Sequence, residues 1–343
     1  MRHRPGEVHP GRDLHEVLQG GPVVTGIWTI CRKELADHFS STRIILLFTL
    51  ILIVSLVMAY MVGTTLRDEL KDVAKPTFVF LMLFTSGKLF SLVSFIAFFG
   101  PLIGIVLGFD AVNRERSSRT LSKLVSQPIY RDAIINGKFL AGAILITIML
   151  VAIVLLISGL GLRLIGVVPG PEEIWRLLIY LVLSVFYISF WLGISILFSI
   201  TFRSMATSAL AAIAFWICFS FFVGFAADLA GDAFFPVDPR AAERNPELMV
   251  TQAQAKKLIS YISPMTLYSE GTTIILNPLQ KTTQSLLLMG PMERLSISRF
   301  QNPLPLGQSL SIVLWHIITL IAITTIFFAI SYAVFMRQEV RST

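Results

Sequence analysis

The chain has 343 residues, of which 14% are charged and 55% are hydrophobic. Ordinary globular chains carry roughly 25% charged residues, so this composition disfavours a water-soluble enzyme and predicts extensive contact with lipid. The formal net charge of +7 indicates a partner that is either nucleic acid or an anionic membrane surface, and the positions of the basic residues decide between them. The two cysteines have no CxxC spacing, which gives no support to a disulfide framework or a zinc site.

The first segment, residues 1–23, is polar and contains no apolar run, so we interpret it as a flexible cytosolic tail and not as a cleavable signal peptide. Residues 24–43 follow, and apolar side chains recur there every four positions: Ile27, Cys31, Leu35 and Phe39. This spacing predicts an amphipathic elbow helix at the membrane interface. The pattern fits a simple anchor, and it also fits an anchor that contacts a cytosolic partner.

Six segments without Asp, Glu, Lys or Arg are long enough to cross the roughly 30 Å hydrocarbon core as helices. They are residues 44–62, 89–109, 139–160, 177–200, 206–227 and 310–336. We therefore predict an all-α polytopic membrane protein with six transmembrane helices. Five of these helices lie within residues 44–227, and the sixth lies within 310–343 with a cytosolic tail.

The distribution of basic residues predicts the orientation of the chain. An even number of spans places both termini on one side, where the short segments hold fifteen Lys and Arg residues against six in the short segments opposite. Because short cytoplasmic segments are enriched in Lys and Arg, we expect a plasma-membrane protein with both termini in the cytosol. Topology and anionic lipid then explain the positive charge, and we expect no nucleic-acid partner.

Residues 228–309 form a long segment on the side opposite the termini, which makes it extracytoplasmic in this orientation. Helix-permissive stretches alternate there with Ser263-Pro264 and Asn277-Pro278. We expect short helices, some of them at the outer interface, and no separate β domain.

A glycine stripe marks the second span, where Gly100, Gly104 and Gly108 recur every fourth residue. Small residues at this spacing let another helix approach the backbone closely. The pattern is compatible with packing inside the chain, with a dimer contact and with a moving gate.

Catalytic and ion-coupling groups are missing from the predicted spans. His316 is the one Asp, Glu, Lys, Arg or His side chain within the six segments, and we interpret it as a neutral packing residue. The sequence contains no HExxH, GxSxG or GxxxxGK[ST] motif. We therefore expect no catalytic residue, metal or cofactor in this chain, and any ATPase would be a separate subunit.

The segment 110–138 between the second and third spans is the most informative part of the sequence. It contains six basic and three acidic residues, yet Leu121, Leu124 and Val125 align on one face of a short helix that Pro128 should end. An apolar ridge within a rim of charge suits docking into a groove of a soluble partner. Contact with anionic headgroups explains the composition equally well.

This segment resembles the first cytosolic loop of ABC type-2 permeases, the membrane subunits of ATP-binding-cassette exporters. The matching residues are Asp110, Glu115-Arg116, Thr120-Leu121, Leu124, Pro128-Ile129 and Gly137-Lys138. Arg119 departs from the family pattern, in which a glycine precedes the threonine. Residues 263–278 look like the outer region of the subgroup that contains permeases for copper-enzyme maturation and for drug or sodium efflux.

The resemblance implies a homodimer or heterodimer of permease subunits in the lipid bilayer, bound to two ABC ATPase subunits that hold ATP and Mg. Its loop residues would couple to the ATPase, with Arg114, Glu115, Arg116 and Arg119 setting the register and Leu121 and Leu124 supplying burial. The implied function is export of a hydrophobic or amphipathic cargo, driven by ATP hydrolysis in trans. The alternative hypothesis is a non-transporting scaffold or sensor that acts on an extracytoplasmic partner through residues 228–309.

Overall fold

The computed structural model describes residues 22–69, 78–86, 91–118, 130–236, 246–278 and 303–337. Throughout these ranges the chain forms helices and connecting turns, without a β-strand. Six helical stretches in the described part are long and apolar enough to cross a membrane. The predicted fold class is confirmed.

The helices of the first half are α1 (Pro22–Phe39), α2 (Thr42–Glu69), α3 (Val79–Thr85), α4 (Leu92–Gly108) and α5 (Asn113–Ser117). Those of the second half are α6 (Arg131–Ile165), α7 (Pro171–Thr201), α8 (Met205–Ile217), α9 (Val223–Phe234), α10 (Pro246–Ser260), α11 (Pro264–Leu276) and α12 (Leu306–Arg337). A π-helical turn, Cys218–Phe222, joins α8 to α9. The six spans are α2, α4 with α5, α6, α7, α8 with α9, and α12.

Several helices extend beyond the predicted apolar segments. Helix α6 begins at Arg131 instead of residue 139, and α7 begins at Pro171 instead of residue 177. These added turns contain Lys138 and Arg176, both of which are buried and paired within the protein. The helices can therefore extend past these charged residues, because the fold supplies each charge with a partner.

Helix α7 is the centre of the bundle and packs against α4, α6, α8, α11 and α12. The glycine stripe of α4 faces it: a Cβ on Gly104 would lie 2.6 Å from the carbonyl oxygen of Ile188 and 2.8 Å from the backbone nitrogen of Leu192. The close approach allows Tyr187 to donate a hydrogen bond to the Ala97 carbonyl at 2.6 Å. Helices α4 and α7 are thus joined by backbone contact and hydrogen bonds.

The elbow helix α1 packs on α6, and the chain turns at residues 40–41 before α2 begins. The side chains that face the bundle include Ile30 and Cys31, whereas Trp28 and Phe39 are each 53% exposed. The predicted every-fourth-residue stripe is therefore only partly the buried face. Ile30 meets the backbone of α6 at Gly137, where a Cβ would lie 2.7 Å from the Ile30 side chain.

The bundle has two ends, which differ in the helices that form them. The elbow end comprises α1, α5, the last turn of α4 and the first turns of α6. The far end comprises the first turns of α7 and α12 together with α11. Helix α11 belongs to the bundle, because Tyr268 stacks on Tyr187 with ring centroids 4.3 Å apart and its hydroxyl lies 2.7 Å from Ser184 Oγ.

Candidate functional site

A buried lysine joins three helices at the elbow end. Lys138 Nζ lies 2.8 Å from Glu34 Oε1 of α1 and 2.9 Å from Glu115 Oε1 of α5. The Lys138 side chain is 4% exposed, so its charge requires these partners. We call Glu34, Glu115 and Lys138 the triad. Because α1, α5 and α6 each supply one member, the triad ties the elbow helix to the two helices that flank residues 119–129.

A second cation lies at the edge of the triad. Lys33 Nζ is 3.1 Å from Glu34 Oε1 and 3.5 Å from Glu115 Oε1, and its side chain is nearly half exposed. Two carboxylates therefore face two ammonium groups, one buried and one at the surface. This arrangement neutralises the cluster, and it leaves the outer ammonium accessible to solvent.

The end of α4 is attached to the start of α2 by a separate ion pair. Arg43 Nη2 lies 3.0 Å from Asp110 Oδ2, and the Arg43 guanidinium lies over the Phe109 ring at 4.9 Å from its centroid. The Asp110 side chain is buried. Asp110, which lies between α4 and α5 within the second span, thus holds the first and second spans together.

Helix α7 organises the turn that leads into α5. Ser199 Oγ accepts hydrogen bonds from the backbone N–H groups of Val112 and Asn113, at 3.0 and 3.2 Å. These N–H groups lie at the start of the short helix α5, where backbone donors lack helical partners. The position of Glu115 is therefore set by the central helix of the bundle.

A cavity of about 160 Å³ lies beside the triad. Its charged and polar walls come from α1, α5, α6, the first turn of α2 and the turns at residues 40–41 and 109–112, and include His38, Arg43, Asp110 and Arg114. A single water needs roughly 10–15 Å³ of such volume, so the space exceeds a water or monatomic ion site.

The ionisation of two α1 side chains reflects this environment. Burial opposes ionisation of Glu34, but the charges and hydrogen bonds of Lys138 and Lys33 outweigh it and hold the pKa of Glu34 below its ordinary value. Burial lowers the pKa of His38, and the nearby Lys138 and Arg43 act in the same direction against Glu34 and Asp110. The elbow end therefore favours an ionised Glu34 and a neutral His38.

A family model described as ABC-2 family transporter protein matches residues 28–340, which is most of the chain. The chain belongs to the ABC-2 transporter family. Together with the six apolar helices, this makes it a multi-pass membrane protein.

Two curated relatives are similar to this ABC-2 family member. They are the probable ABC transporter permease protein NosY of Pseudomonas aeruginosa, 27% identical over 146 residues, and that of Stutzerimonas stutzeri, 29% identical over 144 residues. The alignments cover 43% and 40% of this chain and 48% of each relative. The chain thus spans about half the length of the curated relatives that it matches.

The ABC-2 loop residues expected from the sequence fall into three groups. Asp110 and Glu115 are buried and paired inside the chain, whereas Arg114 is exposed and lines the cavity. Arg116 is partly buried. The remaining predicted coupling residues lie outside the described part of the chain: Arg119, Thr120, Leu121, Leu124 and Pro128.

The sequence analysis expected Glu115 to contact the ATPase subunit, whereas the structure buries its side chain inside the chain. Its carboxylate points to Lys138, which leaves Arg114 as the exposed charge on α5 nearest the cavity. Sequence reasoning also missed Glu34. Its signal was the spacing of Ile27, Cys31, Glu34 and His38, which places the glutamate on the buried stripe of the elbow helix.

Proposed function

We propose that this chain is the membrane-spanning permease subunit of an ATP-binding-cassette exporter, and that it works as a dimer with a second permease subunit. The observation that carries the proposal is the triad, in which Lys138 joins the elbow helix to both helices that flank residues 119–129. Membership of the ABC-2 family and similarity to proteins named as probable permeases support it.

Force would enter at residues 119–129. A soluble ATPase subunit that binds ATP and Mg would grip this segment through the apolar ridge of Leu121 and Leu124. Helix α5 precedes the segment and Arg131 opens α6 just after it, so displacement of the segment acts on both helices at their ends. The triad makes α1, α5 and α6 move together, and Asp110 extends the unit to α2 through Arg43.

The moving unit would act against α7. Helix α4 touches the backbone of α7 along its glycine stripe, and Ser199 holds the turn before α5. Motion of the elbow end therefore reaches the central helix through rigid contacts. In this proposal ATP hydrolysis occurs on the partner, and this chain transmits the movement and lines the route.

The apolar surface of the spans supports a hydrophobic or amphipathic cargo. Large hydrophobic side chains are exposed on several described spans, including Leu50, Leu155, Leu210 and Phe225. Such faces suit lipid, a second permease subunit and a hydrophobic or amphipathic cargo. They offer few polar groups for a hydrated ion.

The test is association with the ATPase subunit expressed together with the chain. Leu121→Asp should abolish co-purification of the ATPase and leave membrane insertion and detergent-solubilised size unchanged. Ser117→Asp is the matched control, since it adds the same charge four residues earlier in the chain, at an exposed position of α5. Equal ATPase recovery with both variants would contradict the docking ridge, and ATP hydrolysis by the permease alone would contradict the proposal as a whole.

The scaffold alternative assigns the activity to an extracytoplasmic partner bound by residues 228–309. Removal of that whole segment would destroy the Tyr187–Tyr268 stack, so a narrower deletion is needed. The Leu304 N–H donates to the Pro278 carbonyl at 2.8 Å, which shows that the flanks of residues 279–302 touch. Replacing 279–302 with two glycines therefore preserves the bundle. The permease proposal predicts that ATP-dependent transport in vesicles continues, and the scaffold hypothesis gains support if only partner binding is lost.

A further inference from the structure

Helix α10 follows the fifth span back toward the bundle. Gln252 and Lys256 of α10 both reach Asp232 of α9, at 3.0 and 2.7 Å. Lys256 also lies 3.8 Å from Asp228, which is one turn earlier in α9. Later residues of α10 thus contact earlier residues of α9, so α10 runs antiparallel to the fifth span. After the turn at residues 261–263, α11 contacts the π-helical turn of that span as well as α7 and α12.

The contacts of α11 with the central helix give the depth of the hairpin that α10 and α11 form. Arg176, the sixth residue of α7, donates to the Ile275 carbonyl at 2.7 Å. Tyr268 stacks on Tyr187, which is the seventeenth of the 31 residues of α7. At 1.5 Å per residue, Tyr187 lies about 24 Å along this membrane-spanning helix. Tyr268 is therefore level with the middle of α7, and Pro264, one turn earlier in α11, lies further toward the elbow end.

One face of the hairpin at this depth is apolar and points away from the bundle. Leu258 and Ile262 are four residues apart, and their side chains are 70% and 60% exposed. The adjacent helix α9 exposes Phe225 and Leu229 as well. Because α9 is part of a membrane span and α10 lies beside it, the exposed face of α10 continues the lipid-facing surface of that span.

We infer that α10 and α11 form a re-entrant hairpin, which enters the membrane from the far end, turns near its middle and exposes Leu258 and Ile262 to lipid acyl chains. This location differs from the extracytoplasmic position that the sequence predicts for residues 228–309. The sequence gives no sign of it, because α10 contains two lysines and its 15 residues are fewer than the roughly 20 that a span needs. The inference does not depend on the proposed transport function.

The charged side chains of the hairpin are paired with each other. Glu270 Oε2 accepts a hydrogen bond from the Tyr261 hydroxyl at 3.1 Å and lies 3.5 Å from Lys257 Nζ. The same oxygen lies 3.5 Å from Nε2 of His316, which is buried about 15 Å along α12 from its first residue. An unpaired charge is costly at membrane depth. The Lys257–Glu270 pair therefore lets the hairpin enter, and Glu270 joins its two helices to the sixth span.

Fluorescence quenching at residue 262 tests the location. Ile262→Cys is introduced into the full chain with Cys31→Ser and Cys218→Ser, labelled with bimane in detergent and reconstituted into phosphatidylcholine vesicles with iodide on both sides. We expect quenching by lipids that carry a nitroxide in the middle of the acyl chain. Quenching by iodide should be roughly tenfold weaker than for a label at Leu248→Cys in the first turn of α10, because the hydrocarbon layer excludes water. Equal iodide quenching at both positions overturns the inference, and so does protection of residue 262 from both quenchers, which would mean that a second protein covers this face.

The role of the paired charges is tested with the same label at residue 262. Glu270→Met leaves Lys257 without this carboxylate, so the label should lose quenching by the acyl-chain nitroxide and gain quenching by iodide. Lys257→Met/Glu270→Met removes both charges and should restore the quenching seen before either substitution. Equal quenching in the single and the double variant overturns the role of the pair. Thermal unfolding in detergent verifies that each variant retains its fold.

Discussion

The two ends of the bundle are held together by different chemistry. At the elbow end, carboxylates face ammonium groups across α1, α5 and α6, with a cavity beside them. At the far end, Arg176 is completely buried and donates hydrogen bonds to the carbonyls of Ile275 and Leu304, at 2.7 and 2.6 Å. Side-chain ion pairs tolerate rearrangement, whereas carbonyl groups are fixed by the backbone. The comparison indicates a rigid far end and a more adaptable elbow end, which is the end that would move in the proposed function.

The largest effect is expected from Arg176→Ala. The substitution removes the partner of two carbonyls, of Ser309 Oγ and of the Glu172 carboxylate, and it opens a cavity at the junction of α7, α11 and α12. We expect a loss of roughly 5 kcal/mol in the free energy of unfolding. Thermal unfolding in detergent measures it. Arg163→Ala, an exposed arginine in the last turn of α6, is the control, and an equal effect of both would contradict the proposed role.

Lys138→Met is expected to cost less, about 3 kcal/mol. It leaves Glu34 and Glu115 without their buried cation, but Lys33 remains within 3.5 Å of both carboxylates and offsets part of the loss. Adding Glu34→Gln and Glu115→Gln to Lys138→Met should recover part of the stability, because no buried charge then lacks a partner. If the triple variant is less stable than Lys138→Met, the pairing is not the source of the effect.

Gly104→Ala tests the contact that both ends share. Its new methyl group would lie 2.6 Å from the Ile188 carbonyl oxygen, so α4 and α7 must separate. We expect a loss of about 1–3 kcal/mol, measured by the same unfolding assay. A methyl group on Gly159 meets nothing within 4 Å, and Gly159→Ala should therefore leave the stability unchanged or raise it slightly.

The smallest effect is a pH dependence confined to the elbow end. The pKa values of His38 and Glu34 lie below their ordinary values of 6.5 and 4.5, so the unfolded chain binds protons more readily than the folded chain. Stability should fall as the pH decreases below 6.5, first through His38, and again below 4.5 through Glu34. In His38→Gln the first decrease should disappear. An unchanged melting temperature in the wild-type protein between pH 7 and pH 4 would contradict this assignment.

The sequence predicted the spans because uninterrupted apolar segments have few alternatives to crossing a membrane. It placed the start of the fourth span after Arg176, since an isolated arginine is costly at membrane depth. The structure includes Arg176 in α7 because its acceptors, Ile275 and Ser309, come from 99 and 133 positions away along the chain. No local pattern reveals such a pairing.

The triad illustrates the same limit at the candidate site. Lys138 and Glu115 were both singled out by family resemblance, but the resemblance did not pair them, and Glu34 was not singled out at all. Glu34 and Lys138 are paired although 104 positions separate them along the chain. A charged residue on an amphipathic helix can be buried only if a partner of opposite charge lies beside it. Which residue is that partner is known only once the fold is known.

Accessibility of residue 121 tests the central claim most directly. Two single-cysteine variants are made in a chain in which Cys31 and Cys218 are replaced by serine. One carries Leu121→Cys. The other carries Val168→Cys as the opposite-side control, at a residue that is 76% exposed in the turn between α6 and α7. The account predicts that a membrane-impermeant maleimide labels position 121 in inside-out vesicles and position 168 in right-side-out vesicles. Labelling of position 121 in right-side-out vesicles would place it beyond the reach of a cytosolic ATPase and would contradict the account.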